Sequence, residues 1–177
     1  MSTQKFEACR NFTCEYSNFF LARSLYESAF LPDERRDFDD LLKIAETKSV
    51  FYAEFFKQDA DLLGIIFYWK FRNFAYVEHF AVAEQFRNQG FGQKIMRNFC
   101  EKIGSPVVLE VEKPENEASK RRIRFYENLG FRVSEMPYLQ PAYSANKQSV
   151  PMLLMHCGEI CLEKCVKTIR REVYSIA

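Results

Sequence analysis

Between Ser49 and Val82 the chain strings together three apolar runs, SVFYAEFFK, LLGIIFYWKF and FAYVEHFAV. Aromatic and branched residues suit a pleated strand. The polar breaks near Asp59–Asp61 and Arg72–Asn73 are too short for a crossover, so the runs predict an antiparallel meander. The rest of the chain must pack around that sheet. Residues 5–13 read as an opening strand, and 18–30 and 33–46 as helices, the second with acidic residues in its first turn. Past the meander, Ile95, Met96, Phe99, Cys100 and Ile103 form an apolar helical face ended by Gly104. A strand over 106–112, a helix over 116–130, strands over 131–143 and 149–156 and a last helix over 159–174 complete the order. The expected fold is α/β (α+β): one domain over 1–177, with a mixed, mostly antiparallel central sheet and helices on both faces.

Twenty-five Lys and Arg against 24 Asp and Glu leave no global field to draw in nucleic acid or an anionic membrane, so neither is expected as a partner. The start has no signal-peptide layout, and the longest apolar run, 62–69, is too short to span a bilayer, so a soluble cytoplasmic protein is expected. Cys157, Cys161 and Cys165 repeat every four residues along the last helical stretch. That spacing lacks the Cys-x-x-Cys knuckle of a zinc site; reduced thiols in a core or interface are expected, and no metal. The helix suits either packing on the sheet or holding a second subunit in a homodimer.

The chain has six glycines, and Gly90 and Gly92 sit one residue apart between a strand and a helix, in FRNQGFGQKI. A helix start presents unpaired N–H groups and partial positive charge, and glycine lets a phosphate approach the main chain. No third glycine completes a dinucleotide fingerprint, and no Gly-Lys-Ser/Thr completes a P-loop. An ordinary turn and an anion cradle both remain open on this segment alone.

Val82, Arg87, Gly90 and Gly92 follow V-x4-[RQ]-x2-G-x-[GA], which resembles the pyrophosphate-binding signature of the GNAT superfamily of acyl-CoA-dependent N-acyltransferases. Asn116, Tyr126 and Leu129-Gly130-Phe131 resemble that family's second acyl-CoA segment. The resemblance implies an N-acetyltransferase that moves an acetyl group from acetyl-CoA, as co-substrate, to a primary amine by direct attack through a tetrahedral intermediate. It implies that the main chain of Phe80, Ala81 and Val82 receives the pantetheine arm. The pyrophosphate would rest on the loop of Arg87, Asn88, Gln89, Gly90, Phe91, Gly92 and Gln93. Asn116 is expected to contact the cofactor arm, to cap its helix with Ser119 in the first turn, or both. One of Lys120, Arg121, Arg122 and Arg124 is expected at the 3′-phosphate, and Ser119 and Arg122 are included among the cofactor-binding residues.

Tyr126 is expected to protonate the departing thiolate, since a phenol of pKa about 10 can donate as the bond breaks. An alkyl ammonium must lose a proton before it attacks. Glu78 is the expected base, acting directly or through water, and strand alternation puts it on one face with Tyr76, Phe80 and Val82, with His79 opposite. The acceptor groove is expected between the first two helices and the late hairpin, with Asp33, Glu34, Asp37, Asp39 and Asp40 on one wall and Tyr138, Tyr143 and Trp69 as an aromatic lining. That lining favours a small-molecule acceptor. Two other readings stand beside this one: a non-catalytic acyl-CoA-binding or sensory module, and an interaction domain whose loop binds nothing.

Overall fold

The structure, a computed structural model, describes residues 7–10, 16–59 and 61–176. Of the opening strand expected over 5–13, residues 7–10 form β1 (Glu7–Arg10), and the remainder lies outside the described residues. Two helices follow, α1 (Tyr16–Ala29) and α2 (Phe38–Thr47). The meander then forms as β2 (Phe51–Gln58), β3 (Asp61–Lys70) and β4 (Ala75–Val82), each antiparallel to the next, with β1 paired to β2. Helix α3 (Phe91–Ile103) carries the chain over to β5 (Val107–Glu112), which pairs with β4 in parallel. After α4 (Glu117–Glu127) come β6 (Arg132–Val133), β7 (Tyr138–Gln140) and β8 (Val150–Cys157). Strand β8 pairs antiparallel with β5, β6 and β7. The described chain closes with α5 (Leu162–Glu172). Among the described residues this makes one mixed, mostly antiparallel sheet with helices on both faces, as the sequence predicts.

The sheet divides the core. On one face, Tyr26 of α1, Leu41 of α2 and Cys165 and Ile169 of α5 meet Phe51, Phe67 and Trp69. On the other, Ile95, Met96 and Phe99 of α3 and Ile123 of α4 meet Ile66, Tyr68, Val77 and Leu109. Each such side chain contributes about 1.5–3 kcal/mol of burial. The apolar stripe of α5 is thus spent on the sheet: Cys165 is buried there, while Cys161 is exposed. Among the described residues no helix is long and apolar enough to cross a membrane.

Three departures from expectation matter for the site. The helix expected over 33–46 splits into a 3-10 turn at Pro32–Glu34 and α2, because Arg35 and Asp37 are extended. That extended link turns Arg36 inward. The strand expected over 131–143 breaks into β6 and β7, consistent with Pro137, which cannot donate to a ladder. Strand β4 carries a bulge: Phe67 faces His79 while the next residue, Tyr68, faces Val77, so Glu78 is an extra residue.

Candidate active site

Strands β4 and β5 stay paired at Ala75–Val107, Tyr76–Val108 and Val77–Leu109 and then part. The gap opens into a groove of about 680 Å³ that crosses the sheet. One mouth lies among Arg87, Gly90, Gly92, Arg121 and Phe125, the other among Phe30, Glu34, Gln140 and Met152.

At the first mouth the turn before α3 is built around two left-handed residues, Asn88 (φ 60°) and Gly90 (φ 81°). A side chain at Gly90 would meet no atom, so its glycine serves backbone conformation alone. Gly92 differs: a Cβ there would come within 3.4 Å of both Val82 and Phe125. Among the described residues the main-chain N–H groups of 88–93 find no protein acceptor, and the next donor, Lys94, bonds Gly90 O at 3.1 Å. Six free donors beside a helix start suit a diphosphate. Upstream, Ala83 N–H donates to Leu63 O of β3. Alternation along β4 therefore turns the Val82 and Phe80 amides toward the slot, where an extended arm can pair with them.

The structure gathers Glu78, Phe80, Ala81, Val82, Arg87, Asn88, Gly90, Gly92, Gln93, Arg122 and Tyr126 around this groove. Arg87 also braces the strand end, donating from Nε to Val82 O at 3.0 Å. Arg122 pairs with Glu112 across the opening. Four expected residues sit off the groove. Gln89 donates to Gln85 O, and Phe91 packs edge-on to Phe86. Asn116 takes the capping role, accepting from Ser119 N–H at 2.9 Å while Ser119 Oγ bonds back to the Asn116 main chain.

The bulge revises the reading of Glu78. Instead of sharing a face with Phe80 and Val82, it turns to the α1–α2 side together with Tyr76, and His79 lies on that side too, edge-on to Tyr26 and Phe30. Both carboxylate oxygens are engaged: Arg36 Nε donates to one at 2.8 Å and Trp69 Nε1 to the other at 2.6 Å. Burial by itself would raise this carboxyl, but the Arg36 charge and these hydrogen bonds outweigh it and hold it below the usual range. A carboxylate so stabilised is a weak base. Trp69 is buried with it instead of lining an acceptor pocket. His79 bonds Glu34 O through Nε2, leaving Nδ1 without a partner, and burial pushes its pKa down to about 4, so the ring stays neutral.

Glu110 has the opposite environment. It lines the groove on β5, where that strand has left β4. The Tyr138 hydroxyl donates to it, and the Tyr174 hydroxyl lies 3.3–3.4 Å from its two oxygens. Among the described residues no cation pairs with it, and burial pushes its pKa up to about 7 against those hydrogen bonds. The two carboxylates thus differ in proton affinity, and Glu110 is the one suited to take up a proton. The sequence reading passed over Glu110. A signal existed, since alternation in PVVLEVE places it on the same face as the buried Val108.

Tyr126 projects from α4 into the groove between Phe125 and Phe131, at ring distances of 5.0 and 5.5 Å. Its hydroxyl bonds no other described residue, and burial keeps it protonated. At the second mouth, of the five acids expected on that wall, Glu34 alone lines the groove. Asp33 accepts from Gln148 N–H, Asp37 pairs with Lys147, Asp39 lies near Arg23 and Asp40 pairs with Lys43. The Glu34 carboxyl is raised by burial and by the nearby Glu112. Tyr138 and Tyr143, expected as lining, stand behind it: Tyr138 on Glu110, and Tyr143 under the Arg36 guanidinium at 4.6 Å.

A thioester on a nucleotide arm could rest its diphosphate on the free amides and run its chain along β4 to reach Glu110 and Tyr126. That geometry is the one a CoA-dependent acyltransferase requires. Residues 16–131 match the acetyltransferase (GNAT) family model, and the chain belongs to that family. A GNAT-family acetyltransferase assignment also attaches to a Bacteroides thetaiotaomicron protein 33% identical in sequence, with a TM-score of 0.87 over 98% of this chain and 99% of that one. The fold is shared with a Bacillus subtilis acetyltransferase in complex with CoA (14% identity, TM-score 0.58, 88% of this chain and 100% of that one). It is shared too with the ribosomal-protein-S18-alanine N-acetyltransferase of Escherichia coli (15% identity, TM-score 0.61, 85% and 93%). No protein with a curated description matches the chain.

Proposed function

We propose that the protein is a cytoplasmic, single-domain N-acetyltransferase that uses acetyl-CoA to acetylate a primary amine on a small cationic molecule. When bound, acetyl-CoA supplies an activated acetyl carbonyl and a thiolate leaving group. The amides of 88–93 hold the diphosphate, with Arg121 at the same mouth. The Phe80 and Val82 amides hold the arm and the carbonyl oxygen, where preorganised donors lower the barrier most. Glu110 takes the proton that the amine must lose, and a carboxylate of pKa about 7 is matched to that task near neutral pH. Tyr126 keeps its proton for the departing sulfur. Glu78 and Arg36 form the buried frame beneath. Glu110, without a cationic partner among the described residues, and the groove-lining Glu34 favour a positively charged acceptor.

The observation that carries this reading is Glu110, a carboxylate on the groove wall that bonds tyrosine hydroxyls and pairs with no cation among the described residues. The test is a CoA-release screen over polyamines, amino acids, aminoglycosides and peptides, repeated with Glu110→Gln. Turnover on a small cationic amine, lost in the variant, is the expected result. Tight CoA binding with no turnover on any amine would favour a sensory module instead.

A further inference from the structure

Tyr174 follows α5, beyond the segment that matches the family model, yet its hydroxyl reaches Glu110 on the groove wall. It lies 3.3 and 3.4 Å from the two Glu110 oxygens and 3.3 Å from the hydroxyls of Tyr143 and Tyr76. The segment is held by a neighbouring bond, from Arg36 Nη2 to Val173 O at 2.6 Å. Arg36 thereby joins the C-terminal segment to Glu78.

We propose that Tyr174 is a positioning residue of the active site, through which the C-terminal segment holds the Glu110 carboxylate at the groove and sets its proton affinity. This rests on Glu110 being the base. The groups facing Glu110 are Tyr76 and Glu78 from β4, Tyr138 from β7 and Tyr174, with Tyr143 and Arg36 one layer out. Of these, Glu78 repels the carboxylate, and its charge is already neutralised by Arg36. What stabilises ionised Glu110 is therefore a set of phenol hydroxyls. A hydroxyl donates one proton, and a carboxylate can only accept it, so the Tyr174 proton is drawn to Glu110. Removing that donor favours the protonated acid. Strengthening it favours the carboxylate.

The test follows Glu110 itself and needs no acceptor. The protein is labelled with 13C at the glutamate side-chain carboxyl, and the Glu110 resonance is assigned by its loss in Glu110→Gln. Its titration is then compared in wild type and Tyr174→Phe, with melting temperature as the check on folding. The midpoint is expected to rise by about half a pH unit or more, less than a full-strength hydrogen bond to a charged group would give because the contacts are long. Placing 3-fluorotyrosine at position 174, a stronger donor of nearly the same shape, should move the midpoint down. A role confined to packing moves neither. An unchanged midpoint in Tyr174→Phe, or shifts of the same sign in both proteins, would overturn the proposal. Retained turnover in Glu110→Gln counts against the base assignment, and it is read separately from these titrations.

Discussion

Replacing Glu110 with Gln should stabilise the protein while removing its activity. The carboxyl rises from 4.5 in the open chain to about 7 in the fold. Between those values the folded protein keeps a proton that the unfolded chain has released, so stability falls as pH rises through that window and stays low above it. Each pH unit is worth about 1.36 kcal/mol. Discounted for partial exposure to the groove, the ionised carboxylate costs about 2–3 kcal/mol at pH 8. Gln mimics the protonated acid and avoids that cost. For a chain of this length the melting temperature should rise by roughly 5–10 °C at pH 8. The gain should shrink to a degree or two near pH 5, where the wild-type acid is protonated in the fold. Calorimetry of both proteins across that range is the assay. An equal or lower melting temperature at pH 8, or a gain independent of pH, would refute the assignment.

The other glutamate should behave in the opposite way. Glu78→Gln leaves Arg36 buried without its counter-charge and should cost about 3 kcal/mol, roughly 10 °C in melting temperature, while the fraction that stays folded keeps its pH profile. Tyr126→Phe should preserve the melting temperature and lower kcat by about a hundredfold with any working amine, and unchanged kcat would exclude the proton-donor role. Gly92→Val pushes a branched side chain against Val82 and Phe125, so CoA affinity should fall at least tenfold by calorimetric titration, and unaltered binding would show that this edge does not border the ligand.

Where local pattern decides structure, the sequence was readable. The meander follows from three closely spaced β-rich runs, and Gly104 ends α3 in a left-handed cap. The turn before α3 was legible because amides at a helix start need only residues that tolerate positive φ. The facing of the β4 side chains was not. Alternation gives the facing of a strand residue only while the register holds, and the bulge at Glu78 reset it with no glycine or proline to announce the change. The environments of Glu78 and Glu110 were set by partners remote in the chain. Arg36 reaches Glu78 because Arg35 and Asp37 are extended, against the helical pattern around them. Tyr138 and Tyr174 reach Glu110 from 28 and 64 residues away. No short-range rule places a buried charge beside its counter-charge at such separations.

The central claim is that amides at the start of α3 and along the open edge of β4 grip a CoA diphosphate and arm. A 1H–15N titration of the protein with CoA tests it residue by residue. The account predicts saturable shifts largest at Asn88–Gln93 and at Phe80 and Val82, with the far strand β2 little moved. Saturation that leaves those amides in place while others shift would contradict it.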